Sequence, residues 1–127
     1  MPIVAKELKK VRAAIRSDNV FFHFKRLRRE HGLCYKTPTD NGMRFVIVID
    51  PKKEFFSTLL HELFHAIYSD ASEREVQRLE ALMMKNINTK QIVQTLKHFC
   101  ENACFINKEI MDKILDEARG KVKKTWK

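Results

Sequence analysis

Several things are scarce or missing in this chain of 127 residues. No apolar run approaches the roughly 20 residues that a membrane-spanning helix needs, so a helical span is excluded. No internal repeat and no low-complexity linker is present, and the length suits one hydrophobic core without a separate regulatory module. Cysteine is limited to Cys34, Cys100 and Cys104, an odd number that lacks the spacing of a disulfide scaffold. The start also lacks a charged segment followed by an apolar one, and a reducing cytoplasm is the expected setting. Cys100 and Cys104 stand four apart on an expected helix near His98, which admits a second metal site. A cysteine pair without further ligands reads first as buried, reduced thiols.

Acid is the scarcer charge: 16 Asp and Glu against 25 Lys and Arg leave a formal charge of +9. The basic residues gather at Lys25-Arg26-Leu27-Arg28-Arg29 and again over 121–127. Such clusters can bind nucleic acid or anionic surfaces, yet no nucleic-acid motif or aromatic platform accompanies them. A solvated basic face is the simpler reading, so nucleic acid is an admissible partner but not the favoured one.

Periodicity supplies the elements. Ile3 or Val4, then Leu8, Val11 and Ile15, recur at helical spacing over residues 3–16, with a positive stripe of Lys6, Lys9, Lys10, Arg12 and Arg16 opposite. Residues 20–27 alternate as a half-buried strand, 33–36 form a short strand, 37–42 read as a turn closed by Asn41-Gly42, and 44–50 read as the most buried strand. Pro51 ends that strand, and a helix with Phe56, Leu59, Leu60, Leu63, Phe64 and Ile67 on one broad stripe follows. Ser72-Glu73-Arg74-Glu75 has the form of a capping box, with Ser72 as N-cap and Glu75 at N3, opening a helix that buries Val76, Leu79, Leu82 and Met83. Asn88 or Thr89 opens a helix running to about Cys104, with Ile92, Val93, Leu96, Phe99 and Cys100 inward. Asn107 opens a last one carrying Ile110, Met111, Ile114, Leu115 and Ala118. The expectation is a single α+β domain over 1–127: a small, mostly antiparallel sheet of about three strands, an N-terminal helix, the helix around 55–68 and three C-terminal helices.

The chemistry lies in Leu60-His61-Glu62-Leu63-Phe64-His65, which contains His-Glu-x-x-His. At i, i+4 the two imidazoles lie one above the other, away from the apolar stripe, and can ligate one Zn²⁺. Glu62, one residue round, can reach a water in the open fourth position and serve as general base. A carboxylate for the third ligand is available on the next helix at Glu73, Glu75 or Glu80. Glu75 has a competing task in the capping box, and Glu80 lies about two turns further in. Glu73, in the first turn, is the favoured ligand. Tyr68 is on the same side, three residues past His65. Donation to an oxyanion is one reading for it, and a structural role at the helix end is the simpler one. His23, His31 and His98 have no such neighbours and read as ordinary histidines.

The run 45–50, the His-Glu-x-x-His helix and the Ser72-Glu73-Arg74-Glu75-Val76-Gln77 segment together resemble the small gluzincin-type zinc metallopeptidases. The likeness is in style to short phage and mobile-element proteins and, more distantly, to the ImmA/IrrE group, and it covers residues 44–86. It implies a zinc-dependent peptidase acting on a protein or peptide, with one Zn²⁺ held by two histidines and a glutamate. Glu73-x-x-Val76-Gln77 also resembles the family's Glu-x-x-x-Asp/Asn arrangement, with Gln77 in place of the second acid or amide. The competing class is a non-catalytic module, braced by zinc, that uses its basic surface to bind nucleic acid or a protein partner.

Overall fold

The computed structural model describes residues 2–40 and 42–109. In chain order the elements are α1 (Pro2–Arg16), β1 (Val20–Phe24), β2 (Gly32–Thr39), β3 (Gly42–Ile49), α2 (Phe55–Ile67), α3 (Glu73–Asn86), α4 (Thr89–Asn102) and β4 (Cys104–Phe105). The class is α+β, as the sequence leads one to expect. The last expected helix, from Asn107 onward, lies largely outside the described residues, as does the basic run 121–127.

The sheet differs from expectation in size and direction. It has four strands in the order β2-β3-β1-β4, and only the β2–β3 hairpin is antiparallel. β1 lies parallel to β3, with Phe22 opposite Ile47, and parallel to β4, with Phe22 opposite Phe105. The physical reason is burial. The hairpin occupies one edge of β3, and the Phe45–Ile49 portion is apolar without alternation, as a strand covered on both faces must be. Its other edge is therefore paired inside the sheet, by β1. Thr37 to Thr39 extend β2 instead of forming the turn. Pro38 is tolerated there because β2 is an edge strand, and Gly42 takes up the positive φ of 123° at the reversal.

One face of the sheet meets the helices. Val4, Leu8, Val11 and Ile15 of α1, Phe22, Ile47 and Ile49 of the sheet, and Leu59, Leu60, Leu63 and Phe64 of α2 share one buried core, joined by Val76, Met83 and Phe99. Burying a side chain of this size is worth about 1.5–3 kcal/mol, so the four residues of α2 alone anchor that helix firmly. On the opposite face Val46, Val48 and Ile106 form a smaller cluster.

The third and fourth helices begin where their caps place them. Ser72 accepts from the Glu75 N–H (3.2 Å) while the Glu75 carboxylate accepts from the Ser72 N–H (3.1 Å), and Asn88 and Gln91 repeat the reciprocal pattern at α4. α4 stops at Asn102, two residues before the expected end, because Ala103 turns extended and the chain joins the sheet. Cys104 is therefore on a strand, and Cys100 and Cys104 do not share a helix face. Both are exposed, which removes the reading of two buried thiols. Val93, expected inward, is 58% exposed. Ile92, Leu96 and Phe99 suffice to seat the helix.

Candidate metal centre

Helix α2 presents two faces of opposite character. Leu59, Leu60, Leu63 and Phe64 are fully enclosed, while His61 and His65 turn outward into a cleft of about 570 Å³. That cleft lies between α2, the first two turns of α3 and the edge strand β2. The amphipathic spacing of α2 thus determines which side chains are available for chemistry.

Three side chains converge. The Nε2 atoms of His61 and His65 are 3.2 Å apart, and the Glu73 carboxylate sets one oxygen 2.7 Å from each. Their donor atoms all fall within 4.8 Å of one another, close enough that they could hold one metal ion. Two imidazole nitrogens and a carboxylate oxygen are a donor set suited to Zn²⁺ that leaves a fourth position open. Glu73 can reach back because α3 starts immediately after a tight connection, in which the Ala71 N–H donates to the Tyr68 carbonyl (2.9 Å).

Glu80 completes the surroundings. Its carboxylate is 2.9 Å from Nδ1 of His61; an Nδ1–H held there means that, once the ring loses its second proton to a metal, the Nε2 lone pair is the one directed toward Glu73 and His65. Glu73 and Glu80 are seven residues apart and so lie on one face of α3, two turns from each other. That spacing was the available sequence signal for the pair. Gln77, offered in the sequence as the outer polar partner, is exposed and touches none of these groups, since Glu80 occupies that place. Glu75 is spent on its cap.

Glu62 is 6% exposed and lines the same cleft. Among the described residues no hydrogen bond reaches its carboxylate. Burial first, then the charges of Glu73 and Glu80, push its pKa up to about 7 against the opposing pull of His61. The Glu80 hydrogen bond, with the negative charges of Glu62 and Glu73, raises His61 to about 9 despite burial. His65 is held below its ordinary value by burial, with the positive charges of His61 and Lys36 acting the same way. On Glu73 burial works upward, but the two histidines outweigh it and hold the carboxyl low.

The cleft contains residues that the sequence did not single out. Gly32 sits so close to α2 that a Cβ there would lie 2.7 Å from Cγ2 of Thr58 and 3.0 Å from Cγ of Glu62; only glycine lets the edge strand approach the glutamate. Cys34, two residues on, is half-buried with its thiol pushed up to about 12, mainly by burial, and so stays protonated. Lys36, two further, donates from Nζ to the Ser69 carbonyl (2.8 Å) in the connection between α2 and α3. His31 lines the cleft mouth, 3.8 Å from Glu54. His98 contacts the Arg12 carbonyl (3.2 Å) and His23 the Ile106 carbonyl (3.0 Å), both away from the cleft.

Tyr68 does not line the cleft. Its hydroxyl donates to the Glu7 carboxylate (2.7 and 2.8 Å) and accepts from Lys10 Nζ (2.6 Å), tying the end of α2 to α1. Its role in the fold is therefore structural, and the oxyanion reading is set aside.

No protein-family model, no curated protein and no solved structure matches the chain. Among the described residues no helix is long and apolar enough to cross a membrane.

Proposed function

We propose that this chain is a zinc metallopeptidase, with one Zn²⁺ held by His61, His65 and Glu73 and with Glu62 as general base. The observation that carries this reading is the convergence of both Nε2 atoms on one carboxylate, beside a largely buried Glu62 that faces the same cleft and receives no hydrogen bond among the described residues. A surface helix with two unrelated histidines would not require Glu73 and Glu80 to meet the same ring from both sides.

When bound, zinc supplies Lewis acidity, acidifying a water in its open position and polarising the scissile carbonyl. Glu62 takes the proton of the attacking water as oxygen bonds to the carbonyl carbon. It then returns that proton to the amine nitrogen as the carbon–nitrogen bond breaks, so water is consumed and a carboxylic acid and an amine are formed. In the metal-free chain burial already raises this carboxyl to about 7, and a carboxyl that can both take and give a proton is what the two transfers require. Glu80 fixes the His61 tautomer. The edge of β2 that is unpaired among the described residues, brought close to α2 by Gly32, offers backbone groups to a peptide that adds as a further strand.

The test is hydrolysis of a defined peptide library by the zinc-loaded chain, read by mass spectrometry, against Glu62→Gln. Cleavage by the native chain, lost in the variant with zinc content unchanged, is expected. Absence of cleavage together with salt-sensitive nucleic-acid binding that Glu62→Gln leaves unchanged would replace this reading by the binding module, with Lys25, Arg26, Arg28 and Arg29, all exposed, as its surface.

A further inference from the structure

A hydrolytic centre needs a group facing the negative charge that develops on the carbonyl oxygen, besides the metal and the base. Tyr68, the residue that sequence position suggests, is engaged with Glu7 and Lys10 and is absent from the cleft lining. The cleft wall is otherwise rich in acid, with Glu30, Glu54, Glu62, Glu73 and Glu80 all contributing. Among the described residues a single lysine and no arginine lines it, and that lysine is Lys36.

The placement of Lys36 follows from the strand. Side chains at alternate positions of β2 share a face, so Lys36 stands on the same side as Gly32 and Cys34, and Gly32 is the residue that abuts Glu62. The Lys36 ammonium rests on the Ser69 carbonyl (2.8 Å), four residues from both His65 and Glu73. Its side chain is long and flexible, and a neutral carbonyl is a weaker partner for an ammonium than an oxyanion is.

We propose that Lys36 is the anion-facing residue of this cleft, leaving Ser69 to pair with the negative oxygen of the substrate carbonyl during attack. This rests on the metallopeptidase reading and adds a residue to it. The role calls for a cation in the cleft wall on an element other than the helix that carries Glu62, and Lys36 on β2 meets that requirement.

The test separates the metal from the anion. The full chain is loaded with Co²⁺, whose visible spectrum reports both its own binding and that of inorganic phosphate, a tetrahedral oxyanion. Native protein, Lys36→Met and Lys36→Arg are titrated first with Co²⁺ and then with phosphate. The expected result is equal Co²⁺ affinity in all three, phosphate binding weakened by about tenfold or more in Lys36→Met, and most of it recovered in Lys36→Arg. Equal phosphate affinity in all three overturns the proposal. Loss of Co²⁺ affinity in Lys36→Met overturns it too, by making Lys36 a brace for the Ser69 connection. Failure of the native chain to bind Co²⁺ appears before any phosphate is added and rejects the metal centre itself, and the proposal with it.

Discussion

Two glutamates of this protein are buried to nearly the same depth in opposite surroundings. Glu7 on α1 is 5% exposed and Glu62 on α2 is 6% exposed. Glu7 receives the Tyr68 hydroxyl and lies 3.6 Å from Lys10 Nζ, so desolvation of its carboxylate is offset by donors arranged around it. Glu62 receives no hydrogen bond among the described residues, and its neighbours Glu73 and Glu80 are acids. Burying a carboxylate without donors is unfavourable unless it takes up a proton, and a pKa near 7 is the result. A satisfied buried acid is a strut. One that faces a cleft without donors holds a proton to higher pH.

The sharpest way to break this comparison is to remove each carboxylate in turn. Glu7→Ala should lower unfolding stability by about 2–3 kcal/mol, since it leaves Tyr68 and Lys10 without their charged partner, and zinc content should not change. Glu62→Gln should leave stability unchanged or raise it, because a desolvated charge is removed. Chemical denaturation of the metal-free proteins measures both, and equal losses would erase the distinction. Gly32→Ala probes the cleft side from the strand. The added Cβ must displace Thr58 or Glu62, Thr58 is itself hydrogen-bonded to the Lys53 carbonyl (3.2 Å), and the glutamate is the part free to move. Peptide hydrolysis should fall by about a hundredfold with zinc retained; unchanged turnover would show that the close approach of β2 is incidental.

Proton binding sharpens the cleft side further. In the metal-free chain His61 is raised to about 9 and Glu62 to about 7, both above their unfolded values of about 6.5 and about 4.3. Folding therefore takes up protons. The contribution of His61 is complete below its unfolded pKa and is lost as pH rises through about 9, and that of Glu62 is lost through about 7. Metal must expel the proton from His61 and so binds more tightly as pH rises. The melting temperature of the zinc-loaded protein should draw away from that of the metal-free one between about pH 6 and about pH 9, and a constant gap would contradict the assignment. The smallest effect belongs to a glutamate outside the comparison: Glu75→Ala should cost about 1 kcal/mol through the lost cap and leave metal affinity as it was.

What the sequence could tell followed from local pattern. The core face of α1, the apolar stripe of α2 and the Ser72–Glu75 box each depend on residues within about three turns of one another, and each was legible. So was the pairing of His61 with His65, while bringing Glu73 to them rested on the short connection after Tyr68. The parallel pairing of β1 with β3 was not legible, because no periodicity within β1 states which edge it will meet. β4 has two residues, too few for any pattern. Pro38 and Thr39 carried a strong turn signal that edge-strand pairing overrode. Glu7 carries no local signal in the sequence, and only the arrival of Tyr68, 61 residues later, gives its carboxylate a reason to be buried. Gly32 and Lys36 acquire meaning only when β2 is laid beside α2.

The most direct test of the account is the zinc content of the chain purified without chelator, read by native mass spectrometry beside a His61→Ala/His65→Ala double variant. About one Zn²⁺ per native chain is expected, and none in the variant. Full zinc occupancy in the double variant, or a native chain that holds none when zinc is supplied, would contradict it.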